Sequence, residues 1–340
     1  MNNPITRLAA VVAVGTVALV AQAGMTSTAA AVVAPAALSA THLIPRAAAP
    51  HSAAPRHTTT LAKAAGSTGA HASGAGRVGQ TSRVSSGAKC DGITNNTPLI
   101  QAAVDAAGKQ PGGVVTIPAG VCVLQGNIHL NTGNGVTVEG AGATKTFLVQ
   151  HAAQNIFQIT SPGNTVESMN LNTYTFNPGL IPIRKSPVPA VLFSNASNTT
   201  VMNITAETGS GFGMRLTGSN PCYAFPITGS VVSNVTMVNH GTGGFAAVDI
   251  DCQNGARLTN ITVHGGIVAL FNDTNTILNT EVYYGVARCQ PAWFVTGPAS
   301  NILIENVVTF GGLGVIHGSR HGNATGITVI NQTYGSTLHC

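Results

Sequence analysis

Two aspartates lie close together in the segment 247–251, Ala-Val-Asp-Ile-Asp. If this segment is a strand, Val248 and Ile250 point inward, and Asp249 and Asp251 share the outer face roughly 7 Å apart. Carboxyl groups about 6.5–9.5 Å apart suit glycosidic hydrolysis with inversion, in which one protonates the leaving oxygen and the other activates water. The alternative is two solvated aspartates on an outward face. Because the chain holds only ten acidic residues, such a pair favours a site.

Alignment of the neighbouring short strands surrounds this pair with groups that suit a sugar-binding groove. Arg215 falls beside Asp249 on the preceding strand, and Asp273 lies just beyond the following one. Arginine binds anionic sugar carboxylates, and aromatic rings bind the flat faces of sugars. An exposed Arg215–Asp249 ion pair of little energetic effect is the alternative. The other outward residues of the predicted strip are Phe271, Phe294 and His317.

Further candidates lie near the end of the chain, at Arg320 and His321. Substrate contact is one interpretation of this cluster, and an ordinary surface turn is the other. Trp293 precedes Phe294 in a predicted strand, so only one of these two side chains faces outward.

The composition excludes several classes of protein. Charged residues make up 7% of the chain and aromatic residues 5%, while glycine occurs 40 times. A helical domain needs more of the residues that form helix surfaces, whereas Gly, Asn, Thr and Val suit short strands and tight turns. The net charge of +5 comes largely from residues before position 90, and no cluster of Lys and Arg indicates nucleic-acid binding.

The first 86 residues are not expected to join the folded domain. Residues 1–23 combine Arg7, an apolar run and the small residues Ala21 and Ala23, which is typical of a secretory signal. A membrane anchor is the alternative, although the run is short for a span. Residues 24–86 are rich in Ala, Pro, Ser, Thr, Gly and His and predict a disordered linker. We therefore expect a secreted protein, free of the membrane after cleavage, whose domain covers residues 87–340.

The six cysteines all occur from Cys90 onward and fit an oxidising compartment. The sequence does not fix their pairing. Pairs that would join neighbouring parts of the fold are Cys90–Cys122, Cys222–Cys252 and Cys289–Cys340.

A repeat governs the chain after residue 134. Its core is apolar, any residue, Asn or Gly, apolar, any residue, apolar, as in Leu258–Val263. Strands this short cannot bury a face alone, so stacking of coils about 4.8 Å apart predicts a parallel β-helix with an Asn ladder at its turns. A helix predicted over about 98–107, after an N-cap at Thr97, would cover the open end. Copies of the core are 138–140, 201–204, 232–235, 258–261, 277–279, 304–307 and 329–331.

Three segments mark the start of the domain: Asp-Gly-Ile-Thr-Asn-Asn-Thr at 91–97, Ile-Gln-Ala-Ala at 100–103, and Gly-Gly-Val-Val-Thr-Ile-Pro-Ala-Gly at 112–120. They closely resemble the opening of the pectate-lyase-like superfamily, whose broader group includes the polygalacturonases of glycoside hydrolase family 28. The resemblance covers about residues 88–340 and implies an all-β, right-handed, single-stranded parallel β-helix with a short N-terminal capping helix. It does not specify a reaction, because the superfamily contains hydrolases, lyases, epimerases and inactive binding proteins.

The hydrolase motifs of that family are only partly present. Asp249 matches the second aspartate of one motif, whereas the catalytic first aspartate falls on Ala246. The expected Asp-Asp pair falls near Gly266–Val268, and the motif histidine falls on Leu313. If the protein is a hydrolase, catalysis is therefore expected from Asp249, Asp251 and His317, acting on a pectin-like or uronic-acid-containing polysaccharide.

Two other functions stay open. A non-catalytic carbohydrate-binding or surface protein would use the same groove. A polysaccharide lyase or epimerase would hold Ca²⁺ through Asp249, Asp251 and Asp273, with a basic residue to remove a proton. The candidates for that base are Arg215, Arg257 and Arg288. Outside that alternative no cofactor is expected, and the protein is expected to be a monomer.

Overall fold

The computed structural model describes residues 83–173, 190–209, 212–218, 227–240, 246–284, 291–312, 314–317 and 322–335. The predicted signal and most of the predicted linker lie outside these residues, as do Arg288, Leu313, Arg320 and His321. All described residues belong to one compact unit. Among them, no helix is long and apolar enough to cross a membrane.

Two sheets of stacked parallel strands, numbered in chain order, make up the fold. The fourteen-stranded sheet contains β1 (Arg83–Ser85), β2 (Asp91–Asn95), β3 (Val114–Ile117), β4 (Gly120–Leu124), β6 (Thr137–Gly140), β7 (Thr146–Gln150), β9 (Thr165–Asn172), β11 (Thr200–Thr208), β14 (Val231–Asn239), β17 (Arg257–His264), β19 (Ile277–Tyr284), β21 (Ser300–Phe310), β23 (Thr325–Ile330) and β24 (Thr333–Gly335). The eight-stranded sheet contains β5 (Ile128–Leu130), β8 (Phe157–Ile159), β10 (Leu192–Ser194), β12 (Met214–Thr217), β15 (Ala246–Asp251), β18 (Ile267–Phe271), β20 (Trp293–Thr296) and β22 (Gly314–His317). A short pair joins β13 (Ile227–Thr228) to β16 (Gln253–Asn254).

From β8 to β22 the chain alternates between the two large sheets, apart from the short strands β13 and β16. Each strand there pairs with the equivalent strand of the next coil. This order is the parallel β-helix that the repeat predicted. In the eight-stranded sheet the inward row Met214, Val248 and Val268 continues in register to Trp293. All four side chains are buried. Coils of this kind bury apolar rows that no single short strand could bury.

Asparagines at the turns form the predicted ladder. Asn203, Asn234 and Asn260 have φ between 53° and 55°, a left-handed conformation that Asn tolerates better than most residues. Their side-chain amides donate to one another at 3.1 and 3.0 Å. The expected member Asn279 is not at this position, because the chain places Thr280 there with φ 60°. A second ladder, which the repeat did not predict, links Asn254, Asn275 and Asn301.

Helix α1 (Thr97–Ala107) lies against β1, β3 and β5 and covers the first coil, as predicted. Its apolar face buries Ile100, Ala103, Val104 and Ala107, whereas Leu99 is exposed. The N-cap is Asn96 rather than Thr97. The Asn96 side chain accepts a hydrogen bond from the backbone of Lys89 at 2.8 Å, so it ties the preceding loop to the helix instead of capping its amides. β1 pairs with β3, so ordered structure begins inside the segment assigned to the linker.

A disulfide joins Cys90 to Cys122, as predicted, and closes a segment that contains α1. Cys252 is also disulfide-bonded, but its expected partner Cys222 lies outside the described residues, as do Cys289 and Cys340.

Removal of the Cys90–Cys122 bond should lower stability markedly. The bond closes a loop of 32 residues, for which chain entropy gives about 3–4 kcal/mol. The double variant Cys90→Ala/Cys122→Ala should therefore unfold at lower denaturant concentration than the wild type, measured by circular dichroism. An unchanged midpoint would contradict a stabilising role for this bond.

Candidate functional site

The eight-stranded sheet carries two outward rows of side chains on β12, β15, β18, β20 and β22. The register gives the first row as Arg215, Asp249, Ala269 and Phe294. The second row is Thr217, Asp251, Phe271, Thr296 and His317. Strand alignment from the sequence therefore predicted the neighbours of Asp249 correctly. The predicted strip is two adjacent rows rather than one.

Asp249 is buried, with only 2% of its surface exposed. Arg215 Nε lies 3.0 Å from its Oδ2, although the angle is too poor for a hydrogen bond, and Oδ1 has no hydrogen-bond partner. Burial raises the pKa of Asp249 to about 7, the charge of Asp251 adds to that rise, and Arg215 opposes it. Asp249 is thus a carboxyl group that holds a proton for much of the time near neutral pH, as a general acid must.

Asp251 is the more accessible member of the pair and is held from two sides. Its Oδ1 accepts a hydrogen bond from Asn272 Nδ2 at 3.0 Å. Its Oδ2 lies 3.5 Å from the hydroxyl of Thr217. Asn272 was not recognised in the sequence as part of the site. It follows β18 directly and has φ 55°, and an Asn at the end of a strand was the one signal that could have indicated it.

Asp273 does not fit the substrate contact expected of it, because its side chain is fully buried. Its Oδ1 accepts the backbone N–H of Gln253 at 2.8 Å, and Oδ2 has no partner. Burial raises the pKa of Asp273 well above the usual range. The hydrogen bond from Gln253 opposes this rise, and the charges of Asp251 and Asp249 add to it. Asp273 therefore lies beneath the pair and supports the turn at Gln253.

Aromatic side chains flank the carboxylates on the C-terminal side. Phe271 and Phe294 pack edge to face with ring centroids 5.8 Å apart, and His317 lies 6.2 Å from Phe294. Trp293 faces the interior and Phe294 the surface, as alternation required. On the opposite side the Phe212 ring lies 5.0 Å from Arg215 Cζ. Phe212 was missed because it precedes its strand and belongs to neither row.

His317 lies too far from the aspartates for the catalytic role expected of it. It is three strand steps from Asp251 along the second row, through Phe271 and Thr296. At about 4.8 Å per step this is roughly 14 Å. A group that exchanges protons with the reacting atoms must come within hydrogen-bond distance of them, so His317 fits a substrate contact in the aromatic row.

The described residues do not fit the calcium site of the lyase alternative. They include no group of three or more His, Cys, Asp or Glu side chains able to hold a metal ion. Asp273, one of the three expected ligands, points inward. Of the two candidate bases that the structure describes, Arg257 begins β17 in the other sheet, and Arg215 contacts Asp249.

Comparison with known proteins gives a likeness of fold. No protein-family model matches the sequence, and no curated protein matches it. The endo-xylogalacturonan hydrolase of Aspergillus tubingensis aligns with a TM-score of 0.53 at 14% identity, over 74% of this chain and 73% of that one. The mannuronan C-5 epimerase AlgE6 A-module of Azotobacter vinelandii aligns at 17% identity over 72% and 79%, with a TM-score of 0.45. Rice weevil pectin methyl esterase aligns at 12% identity over 69% and 86%, with a TM-score of 0.46. The likeness to the hydrolase, together with the stacked parallel strands, shows the fold of this chain, which is a right-handed parallel β-helix.

Proposed function

We propose that this protein hydrolyses an extracellular polysaccharide that contains uronic acid units, with Asp249 as general acid and Asp251 as general base. The observation that carries the proposal is the buried Asp249, with a pKa raised to about 7, on the same strand face as Asp251. Environments that push two carboxyl groups toward different protonation states mark an acid and a base.

In the proposed reaction, Asp249 donates its proton to the glycosidic oxygen as the bond to the anomeric carbon breaks. Asp251 accepts a proton from a water molecule, whose oxygen bonds to that carbon from the opposite side. The strand spacing of roughly 7 Å leaves room for the water and corresponds to inversion. Asn272 and Thr217, which contact Asp251, would orient the base.

Arg215 gives the proposed site its preference for anionic sugars. Its contact with Asp249 uses Nε, which leaves the two terminal nitrogens of a partly exposed side chain for a sugar carboxylate. An anionic sugar that draws the guanidinium away would also uncover Asp249 and remove the charge that lowers its pKa. Binding of a uronate would thereby help to keep the acid protonated. Phe271, Phe294 and His317 would contact neighbouring sugar rings.

The pH dependence of hydrolysis tests the role of Arg215. Since the acid must be protonated, activity should fall as pH rises through about 7. Arg215→Gln removes a charge that lowers the pKa of Asp249, so this falling limb should move to higher pH. Arg83→Gln removes a surface arginine that pairs with Glu139 and should leave the limb in place. Equal pH profiles for the wild type and Arg215→Gln would contradict the assignment.

The second candidate is a non-catalytic binding protein that uses the same face. It is favoured by Ala246, which stands where the related hydrolase motif has its catalytic aspartate. Release of reducing ends from polygalacturonate and neutral polymers, measured with the purified protein, separates the two functions. Binding without release would establish the second. An unsaturated product with new ultraviolet absorbance would indicate a lyase instead.

Secretion and a monomeric state belong to the same proposal. The Cys90–Cys122 disulfide supports an oxidising compartment, and residues 1–23 have the composition of a secretory signal. Sequencing of the mature N-terminus from the culture medium tests secretion, and light scattering tests the monomer.

A further inference from the structure

Strand β19 differs from the strands on both sides of it at one position. The left-handed ladder residue is Asn260 in β17 and Asn306 in β21, with φ 55° and 57°, but in β19 it is Thr280 with φ 60°. A β-branched residue adopts this conformation only rarely. The asparagine of this copy, Asn279, stands one residue earlier. β19 therefore holds the residue suited to the ladder out of step by one, although in this register Asn279 accepts a hydrogen bond from Asn306 at 3.3 Å and donates one to Glu305 at 2.6 Å.

The same offset places polar groups in the core. Glu281 pairs with Ile261 on one side and Val307 on the other. It is fully buried, and neither carboxyl oxygen has a hydrogen-bond partner. Two residues later Tyr283 is also buried with an unpaired hydroxyl. Burial of unpaired polar groups is destabilising, so the observed register of β19 lowers the free energy of unfolding.

We propose that β19 is a two-register strand, which can slip by one residue toward its C-terminal end. Asn279 then takes the ladder position of Thr280. Because side chains alternate between faces, a slip of one residue exchanges the two faces of the strand. Val282 enters the core in place of Tyr283 and Ile277 in place of Leu278, while Glu281 and Leu278 turn outward.

The surroundings of β19 accommodate both registers. In the observed one, Tyr284 stacks between His264 and Phe310 with ring centroids 4.6 and 5.2 Å away. After the slip Tyr283 occupies this place, so the ring stack keeps a tyrosine. Thr280 takes the inward place of Glu281, and the core loses its unpaired carboxyl.

The turn before β19 can supply the length that the slip needs. The ladder residue follows Asn275 by five positions in the observed register, and by four after the slip. Asn272 and Asn275 have φ values of 55° and 52°, which are compact left-handed conformations. Extension of Asn275, with loss of its hydrogen bonds to Asn254 and Asn301, lengthens the connection by part of the roughly 3.3 Å that one strand residue spans.

Rising pH favours the slipped register. Burial raises the pKa of Glu281 to about 8, and an ionised carboxylate in the core has a strong preference for the surface. Among the described residues, Tyr283 is the titratable group that interacts with Glu281. The buried side chains of the strands on both sides of β19 are apolar or uncharged: Leu258, Ile261 and Val263 from β17, and Ile304, Val307 and Thr309 from β21. On β20 of the other sheet, the buried side chains are Trp293 and Val295.

Tyrosine nitration with tetranitromethane, followed by peptide mass mapping, tests the slip at about pH 6 and about pH 9. Tyr334 is exposed, lies outside β19 and should react at both values. Tyr283 should react several-fold faster at the higher pH, relative to Tyr334. The double variant Thr280→Asn/Glu281→Ile gives the observed register an Asn in the ladder and an apolar core residue. It should keep Tyr283 protected at both pH values.

An insertion variant provides a second measurement. One glycine inserted between Thr276 and Ile277 restores the five-residue spacing from Asn275 to the ladder Asn and should fix the slipped register. We expect this variant to expose Tyr283 at the lower pH and to have a higher Tm than the wild type. Protection of Tyr283 in the wild type at both pH values would overturn the proposal. Reaction of Tyr283 in the Thr280→Asn/Glu281→Ile variant at the wild-type rate, or an insertion that lowers the Tm, would do so as well.

Discussion

Asp249→Asn is expected to reduce polysaccharide hydrolysis by a factor of about 10²–10⁴, the range typical of a general acid. The amide has nearly the shape of the carboxyl group but holds no proton that it can transfer. Because Asp249 is buried and in contact with Arg215, a neutral side chain of equal size should leave the fold intact. Reducing-end release from polygalacturonate measures the effect, and polymer binding should persist.

Asp105→Asn is the matched control, since Asp105 lies exposed on α1 and bonds Gln101. It should leave hydrolysis unchanged. Asp251→Asn should reduce hydrolysis to a similar extent as Asp249→Asn, because acid and base act in one step. If Asp249→Asn retained activity within a few-fold of the wild type, another group would be the acid. Both Asp variants should give the circular dichroism spectrum of the wild type.

The sequence predicted which side chains share a face, but not how deeply each is buried. Arg215 was placed beside Asp249 because parallel strands in a stack repeat their alternation from coil to coil. The burial of Asp249 depends on the side chains that pack over its face of the strand, Arg215 among them, and alternation does not predict that packing. The expectation that Asp273 contacts the substrate was wrong for a related reason. It lies in a turn, where the period of two ends and a side chain can point inward.

The fold was predictable because strands this short bury their apolar faces only when a repeat stacks them in successive coils. Asn203, Asn234 and Asn260 occupy the ladder since they tolerate left-handed backbone and their amides bond in line. The register of β19 was not predictable in this way. The local preference of Asn279 for the ladder competes there with the spacing from Asn275, and the spacing prevails in the observed register.

Glu281 should make the protein less stable as pH rises. Its pKa is about 8 in the folded protein and near 4.5 when unfolded, so between these values the folded state holds a proton that the unfolded state has released. Stability that is fully present below pH 4.5 is then lost at about 1.4 kcal/mol per pH unit, up to about 4–5 kcal/mol once pH passes 8. Asp249 and Asp273, whose pKa values are also raised, add to the loss in the same direction.

Glu281→Ile should remove the fall in stability with rising pH that Glu281 causes. Isoleucine matches Ile261, its neighbour in the row, and leaves no buried charge. The variant should therefore gain more stability over the wild type near pH 8 than near pH 5, measured by denaturant unfolding at each pH. Glu167→Gln, which changes a partly exposed glutamate on β9, should show no such difference. If the gain of Glu281→Ile were the same at both pH values, Glu281 would be ionised in the folded protein throughout. If the stability gain of Glu281→Ile stopped growing below pH 8, the slipped register would expose the ionised carboxylate to water at a lower free energy than unfolding does.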